Sequence, residues 1–103
     1  MSRIPQLESL LKDSPDDPFL NHAMALEYVK LGDDQKARSL FEGILSSQPG
    51  YVGSYYHLAK LYERMEETEL AVKTYERGIV EAHSAGDSLS EREMRAALEE
   101  LIF

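Results

Sequence analysis

The chain has no cysteine and no tryptophan. Without thiols it can form no disulfide, hold no thiolate-bound zinc and use no cysteine nucleophile. Basic residues are scarce beside acidic ones: 11 Lys and Arg stand against 19 Asp and Glu, for a net charge of −8. A charge of that sign repels phosphate backbones, and no basic patch offsets it, so nucleic acid is not an expected partner. No apolar run approaches the roughly 18 residues of a membrane-spanning helix. Met1 to Gln6 lacks the apolar stretch of a signal peptide, so no membrane association and a cytoplasmic location are expected. Catalytic signatures are missing as well: there is no glycine-flanked serine elbow and no phosphate-cradling glycine loop. The three histidines, His22, His57 and His83, do not pair at i, i+4 within a helix. No metal site, no cofactor and no enzyme activity are therefore expected.

What the chain does have is ordinary globular material. Its 103 residues make one domain, 43% hydrophobic and 29% charged, values that exclude disordered and fibrous classes. Carboxylates gather in runs, Asp16-Asp17, Asp33-Asp34, Glu66-Glu67 and Glu99-Glu100. Three of these runs fall near expected helix starts, where the helix dipole favours negative charge.

A fixed period organises the sequence. Shifting the chain by 34 residues pairs Ala25 with Ala59, Tyr28 with Tyr62, Ala37 with Ala71, Phe41 with Tyr75 and Glu42 with Glu76. The same shift run backwards sets Leu7, Leu10, Leu11 and Pro15 against Phe41, Ile44, Leu45 and Pro49, so the N-terminus reads as the second half of an earlier unit. Within a unit, apolar residues recur at helical spacing: Met24, Ala25, Tyr28 and Leu31 in one segment, Ala37, Leu40, Phe41, Ile44 and Leu45 in the next. The small residues let two helices approach closely while the large ones fill the space between. Asp17-Pro18 and Asp33 supply helix starts, and Gly32 supplies a stop. Six helices are predicted, near 4–13, 18–31, 34–47, 52–65, 68–85 and 91–103. Helix 91–103 is assigned its start from Ser90-x-x-Glu93, a capping box, with Leu89 and Met94 as the hydrophobic staple across it.

These residues resemble the tetratricopeptide repeat, whose pattern is W-x2-L-G-x2-Y, then A-x3-F, then P. One unit reads Asn21-x2-Met24-Ala25-x2-Tyr28, Ala37-x3-Phe41, Pro49; the next reads Tyr55-x2-Leu58-Ala59-x2-Tyr62, Ala71-x3-Tyr75, then His83. Departures from the pattern are Asn21 at the aromatic position, Glu66 where a turn glycine such as Gly32 usually sits, Gly78 where alanine is usual, and His83 for proline. In length and layout the chain is similar to short stand-alone repeat proteins of bacteria. The resemblance implies an all-α fold, an α-solenoid of antiparallel helix pairs in a right-handed superhelix. It divides the chain into a half repeat (3–17), two repeats (18–51 and 52–85) and a C-terminal capping helix (86–103).

The family also implies a function. The first helix of each unit would line a concave groove that binds a peptide or helix of a partner protein. By repeat position the groove residues are Phe19, His22, Leu26, Val29 and Lys30 in the first unit, and Gly53, Tyr56, Lys60, Glu63 and Arg64 in the second. Tyr56 lies one residue off the signature stripe and is a tyrosine that the repeat core does not explain. Residues 18–31 and 52–65 carry a net charge of +1, leaving −9 for the remainder. Such a weakly basic, apolar floor in an acidic shell favours a partner with apolar anchors and some negative charge. The lysine, asparagine and arginine clamp by which chaperone-tail-binding members hold a terminal carboxylate is not reproduced. The alternative is a structural homo-oligomer, a homodimer included, assembled through Ile4, Leu7, Leu10 and Leu11 at one end or Leu101, Ile102 and Phe103 at the other.

Overall fold

A computed structural model describes residues 2–103 of the chain. Six α-helices follow one another: α1 (Ile4–Asp13), α2 (Pro18–Leu31), α3 (Asp34–Ser47), α4 (Gly53–Arg64), α5 (Thr68–Ser84) and α6 (Ser88–Ile102). There is no strand among the described residues, and no helix is long and apolar enough to cross a membrane. The helices form two compact units, residues 1–48 and 49–103.

In the first unit α2 packs along α3, and α1 lies against α2. Ala25, Ala37 and Phe41 are fully buried, with Leu7, Met24 and Ile44 around them. The two alanines lie at the meeting of α2 and α3 and leave room for the Phe41 ring, whose burial stabilises by roughly 1.5–3 kcal/mol. Glu27 is buried too, at 6% exposure, and its carboxylate lies 3.5 Å from the Lys30 ammonium.

In the second unit α4 packs along α5, and α6 packs along α5 with a lesser contact to α4. Ala59, Ala71, Tyr75 and Ala82 are fully buried, and Met94 of α6 is 1% exposed. Gly78 shows how tight the junction is. A Cβ there would stand 2.5 Å from the Met94 sulfur and 2.6 Å from Tyr55 Cβ. Alanine, usual in the family, has no room where α4, α5 and α6 meet.

Three helices end in the same way. At the ends of α2, α4 and α5 a residue with positive φ donates its N–H three residues back, and the next residue donates five back: Gly32 and Asp33, Glu66 and Glu67, Gly86 and Asp87. This double closure is the Schellman motif. Glycine takes the left-handed conformation freely, whereas Glu66 adopts φ 61° with a Cβ present, at a cost of roughly 1–2 kcal/mol. With glutamate where the repeat pattern has glycine, the turn is the same and carries that strain.

Three helices, α2, α3 and α6, start at aspartate caps. The Asp17 carboxylate accepts from the Phe19 and Leu20 N–H groups, and Asp33 from that of Lys36. The start of α6 differs from expectation. It begins at Ser88 rather than 91, capped by Asp87, whose carboxylate accepts from the Ser90 N–H at 3.1 Å and the Ser90 hydroxyl at 2.7 Å. Ser90 is thus a first-turn residue and not the cap, and Leu89, 60% exposed, makes no staple with Met94. The closure at Gly86 delivers the chain straight into Asp87, so the helix starts there.

Candidate functional site

The exposed faces of α2 and α4 carry the residues that the repeat register assigns to partner binding. On α2, Phe19 follows the Asp17 cap in the first turn and stands 68% exposed. Three and seven residues on, His22 and Leu26 share its side of the helix, both half-buried. The His22 ring meets Phe41 of α3 edge to face at 5.4 Å, which fixes the imidazole against the core. Val29 is half-buried, and Lys30, exposed, is held by Glu27. This face is apolar, with one cation at its end.

On α4, the corresponding face is aromatic and charged. Tyr56 is half-buried, its ring 6.4 Å from Tyr75 and 5.8 Å from His57, both edge to face. Lys60, one turn on, places its ammonium 5.7 Å from the centre of the Tyr56 ring, a cation–π contact. The same ammonium lies 3.7 Å from Glu63 Oε2. That oxygen also accepts a hydrogen bond from the Tyr75 hydroxyl. Burial and this bond to a carboxylate raise the Tyr75 pKa far above the ordinary phenol value, so the proton stays on the phenol. Arg64 is exposed in the last turn of α4, and Gly53 opens the helix with open space beside it.

The register thus places Tyr56, Lys60 and Glu63 together. Sequence reasoning missed the group that holds them, the Tyr75 hydroxyl, which reaches out of the core of α5 to the face of α4. A signal existed: the equivalent residue in the first unit is Phe41, so the hydroxyl of Tyr75 has no packing role and calls for a partner. Tyr56 is also more embedded than its place off the stripe suggested, because Tyr75 lies against its ring. His57, half-buried on α4, has its pKa lowered by burial and is neutral at pH 7.

A second feature joins the two units by sequence rather than by contact. Asn21 and Tyr55 are 34 residues apart, and each donates to the carbonyl of the proline six residues before it, Asn21 Nδ2 to Pro15 and the Tyr55 hydroxyl to Pro49. Beside Asn21 a cleft of about 270 Å³ remains, lined also by Ile44, Gly43 and Ser47.

Comparison with known proteins bears on this arrangement. The family profile of the tetratricopeptide repeat matches residues 52–79. A TPR repeat-containing protein of Pseudomonas aeruginosa is 26% identical over 95 residues, which span 92% of this chain and 90% of the relative. The solution structure of a tetratricopeptide repeat domain protein from Salinibacter ruber is 39% identical, with a TM-score of 0.83 over 86% of this chain and 90% of that one. The TPR2B domain of yeast Sti1, in a structure of its complex with pHsp70, has a TM-score of 0.85 over 92% of this chain and 76% of that one. At 18% identity that last likeness is one of fold.

Proposed function

The chain belongs to the tetratricopeptide repeat family, whose fold mediates protein–protein interaction, and from that premise we propose a non-catalytic module that holds a peptide or helix of a partner protein. The face of α2 in the first unit and the face of α4 in the second are each a binding surface. Phe19, His22, Leu26, Val29 and Lys30 offer an apolar stretch with one cation; Tyr56, Lys60, Glu63 and Arg64 offer an aromatic ring among charges. The partner segment accordingly carries an apolar anchor and an acidic group.

The observation that carries this reading is the linked set Tyr56, Lys60, Glu63 and Tyr75. The buried phenol holds Glu63, Glu63 holds Lys60, and Lys60 lies over the ring. A side chain fixed before the partner arrives loses less conformational freedom on binding, which strengthens association. Lys60 and Arg64 outnumber Glu63 on this face, so an acidic group on the partner adds charge complementarity.

The test is retention of partner proteins from a lysate of the source cell by immobilised wild type and by the Tyr56→Ala, Lys60→Glu double variant. Loss of an aromatic anchor is typically worth about 2 kcal/mol, and roughly 1.4 kcal/mol is tenfold in affinity, so retention should fall by more than an order of magnitude. Unchanged retention with an intact fold would move the binding surface off α4.

A second reading, pairing of copies, draws on Ile102 and Phe103, which are 51% and 98% exposed at the end of α6. Sedimentation across a wide concentration range separates the two: constant monomer mass argues against pairing, and a dimer lost on Ile102→Glu supports it.

A further inference from the structure

One wall of each unit is built from the same three repeat places, and the two units fill them very differently. In the second unit the Tyr55 ring is buried and its hydroxyl donates to the Pro49 carbonyl. Arg77 bonds the same hydroxyl and pairs with Glu81 at 3.0 Å. In the first unit the corresponding places, 34 residues earlier, hold Asn21, Gly43 and Ser47. All three are smaller. Ile44 in the place of Gly78 returns part of the volume, yet a cleft of about 270 Å³ stays open between the 15–18 connection, α2 and α3.

The size and the polar atoms of the cleft narrow its occupant. A cavity of roughly 150 Å³ holds a benzene ring, so this one admits an aromatic side chain. The Pro15 carbonyl accepts from Asn21 Nδ2. A carbonyl oxygen has two lone pairs, so it can take a second donor, as the Pro49 carbonyl takes a phenol. Among the described residues that line the cleft, Asp16 is the one with a charge, which disfavours an anion. An uncharged ring with a hydroxyl donor fits all three conditions.

From this we infer that the cleft is a binding site for the phenol ring of a tyrosine on a partner protein, which takes in the first unit the place that Tyr55 fills in the second. Gly43 accounts for the polypeptide that carries the ring. Glycine weakens a helix interior, and a Cβ at this place would meet nothing within 4 Å, so packing does not call for it. The bare backbone instead lets a partner main chain lie close to α3, along the exposed side formed by Ser39, Gly43 and Ser47. A second copy of this chain does not meet the description. Tyr55, Tyr62 and Tyr75 are buried, and Tyr28, Tyr51 and Tyr56 are half-buried, so it has no exposed tyrosine to offer. None of the lining residues belongs to the faces assigned above to partner binding, and the inference stands apart from that reading.

The test is NMR titration of the isotope-labelled 103-residue protein with the peptide acetyl-Gly-Tyr-Gly-amide, with its phenylalanine and phosphotyrosine counterparts, and with p-cresol. The tyrosine peptide should shift the signals of Asn21, Leu40, Gly43 and Ile44 saturably and leave those of Lys60 in place. The phenylalanine peptide lacks the donor and should bind roughly tenfold more weakly. The phosphotyrosine peptide should give no saturable shift. Gly43→Leu puts a side chain into the cleft and should abolish binding. Leucine suits a helix better than glycine, so the thermal midpoint should not fall, which separates filling from unfolding. Should it fall, Ser47→Leu, at another exposed place on the same wall, makes the same test. Gly43→Ala makes the helix gain with one carbon and should keep affinity within a few-fold. Absence of shifts at the cleft, binding that survives both leucine variants, or equal affinity for the tyrosine and phenylalanine peptides would overturn the inference. So would tighter binding of p-cresol than of the tyrosine peptide, because the ligand would then be a free phenol. A dimer, seen by sedimentation, that Gly43→Leu dissociates would overturn it too, with a second copy as the occupant.

Discussion

Asn21 and Tyr55 share a place in the two units and little else. One is a short amide at the edge of an open cleft, the other a large ring pressed on Gly78, yet both bond the carbonyl of the preceding proline. Across from them stand Ile44 and Gly78, with sizes reversed. What the two units share is a hydrogen bond to a proline carbonyl, and the residues that supply it differ. The same holds at the turns, where Gly32 and Glu66 make one backbone conformation at unequal cost.

The comparison can be broken hardest at the two glycines of the second helices, Gly43 on α3 and Gly78 on α5. Gly78→Ala should destabilise, because overpacking costs about 1–3 kcal/mol against a helix-propensity gain of up to about 1 kcal/mol. Gly43→Ala meets nothing within 4 Å, so only the propensity gain of about 1 kcal/mol remains and the thermal midpoint should rise. Changes of the same sign in the two midpoints would remove the packing argument.

The turns sharpen the same comparison more gently. Glu66→Gly should stabilise by roughly 1 kcal/mol through relief of left-handed strain, while Gly32→Glu should lose a similar amount. Urea midpoints measure both, and a destabilised Glu66→Gly protein would mean that the glutamate side chain contributes more than its backbone costs.

The smallest effect lies at the cap of α6. The two bonds from Ser90 hold the Asp87 carboxyl below its ordinary pKa. A carboxylate with a depressed folded-state pKa stabilises fully above its unfolded value and loses that contribution as pH falls through the folded value. Asp87→Asn should therefore flatten the acid limb of the stability curve and leave neutral pH nearly unaffected. Thermal midpoints from neutral to acid pH would show it; an acid limb as steep as wild type would place the titration elsewhere.

The residue pattern announced most of this fold. Helices α1, α2 and α3 run between the residues expected; for α2 and the start of α3, aspartate caps, Pro18 and Gly32 mark the ends with backbone chemistry that acts locally. Helix α6 was placed three residues late for the converse reason: Ser90 and Glu93 satisfy a capping pattern, and nothing local says that the closure at Gly86 has already handed the cap to Asp87. Ala82 lies outside the repeat signature yet is fully buried on α5, the helix along which α6 packs. The candidate site divides likewise. Periodicity suffices to expose Phe19 on α2, and Lys60 and Arg64 on one side of α4. The bond from Tyr75 to Glu63 spans two helices, and only their packing could reveal it.

The pattern of neighbours in each unit also sets the pace at which the chain acquires its shape. Helices pack chiefly on the helix before or after them, α1 on α2 and α2 on α3, then α4 on α5 and α5 on α6. Such pairings close short loops, so little chain entropy is lost before each contact forms, and chains of this kind fold in roughly microseconds to milliseconds. Synthesis delivers about 5–20 residues per second, far slower than that. Residues 1–48 can therefore pack as they emerge from the ribosome, well before Phe103 has been added.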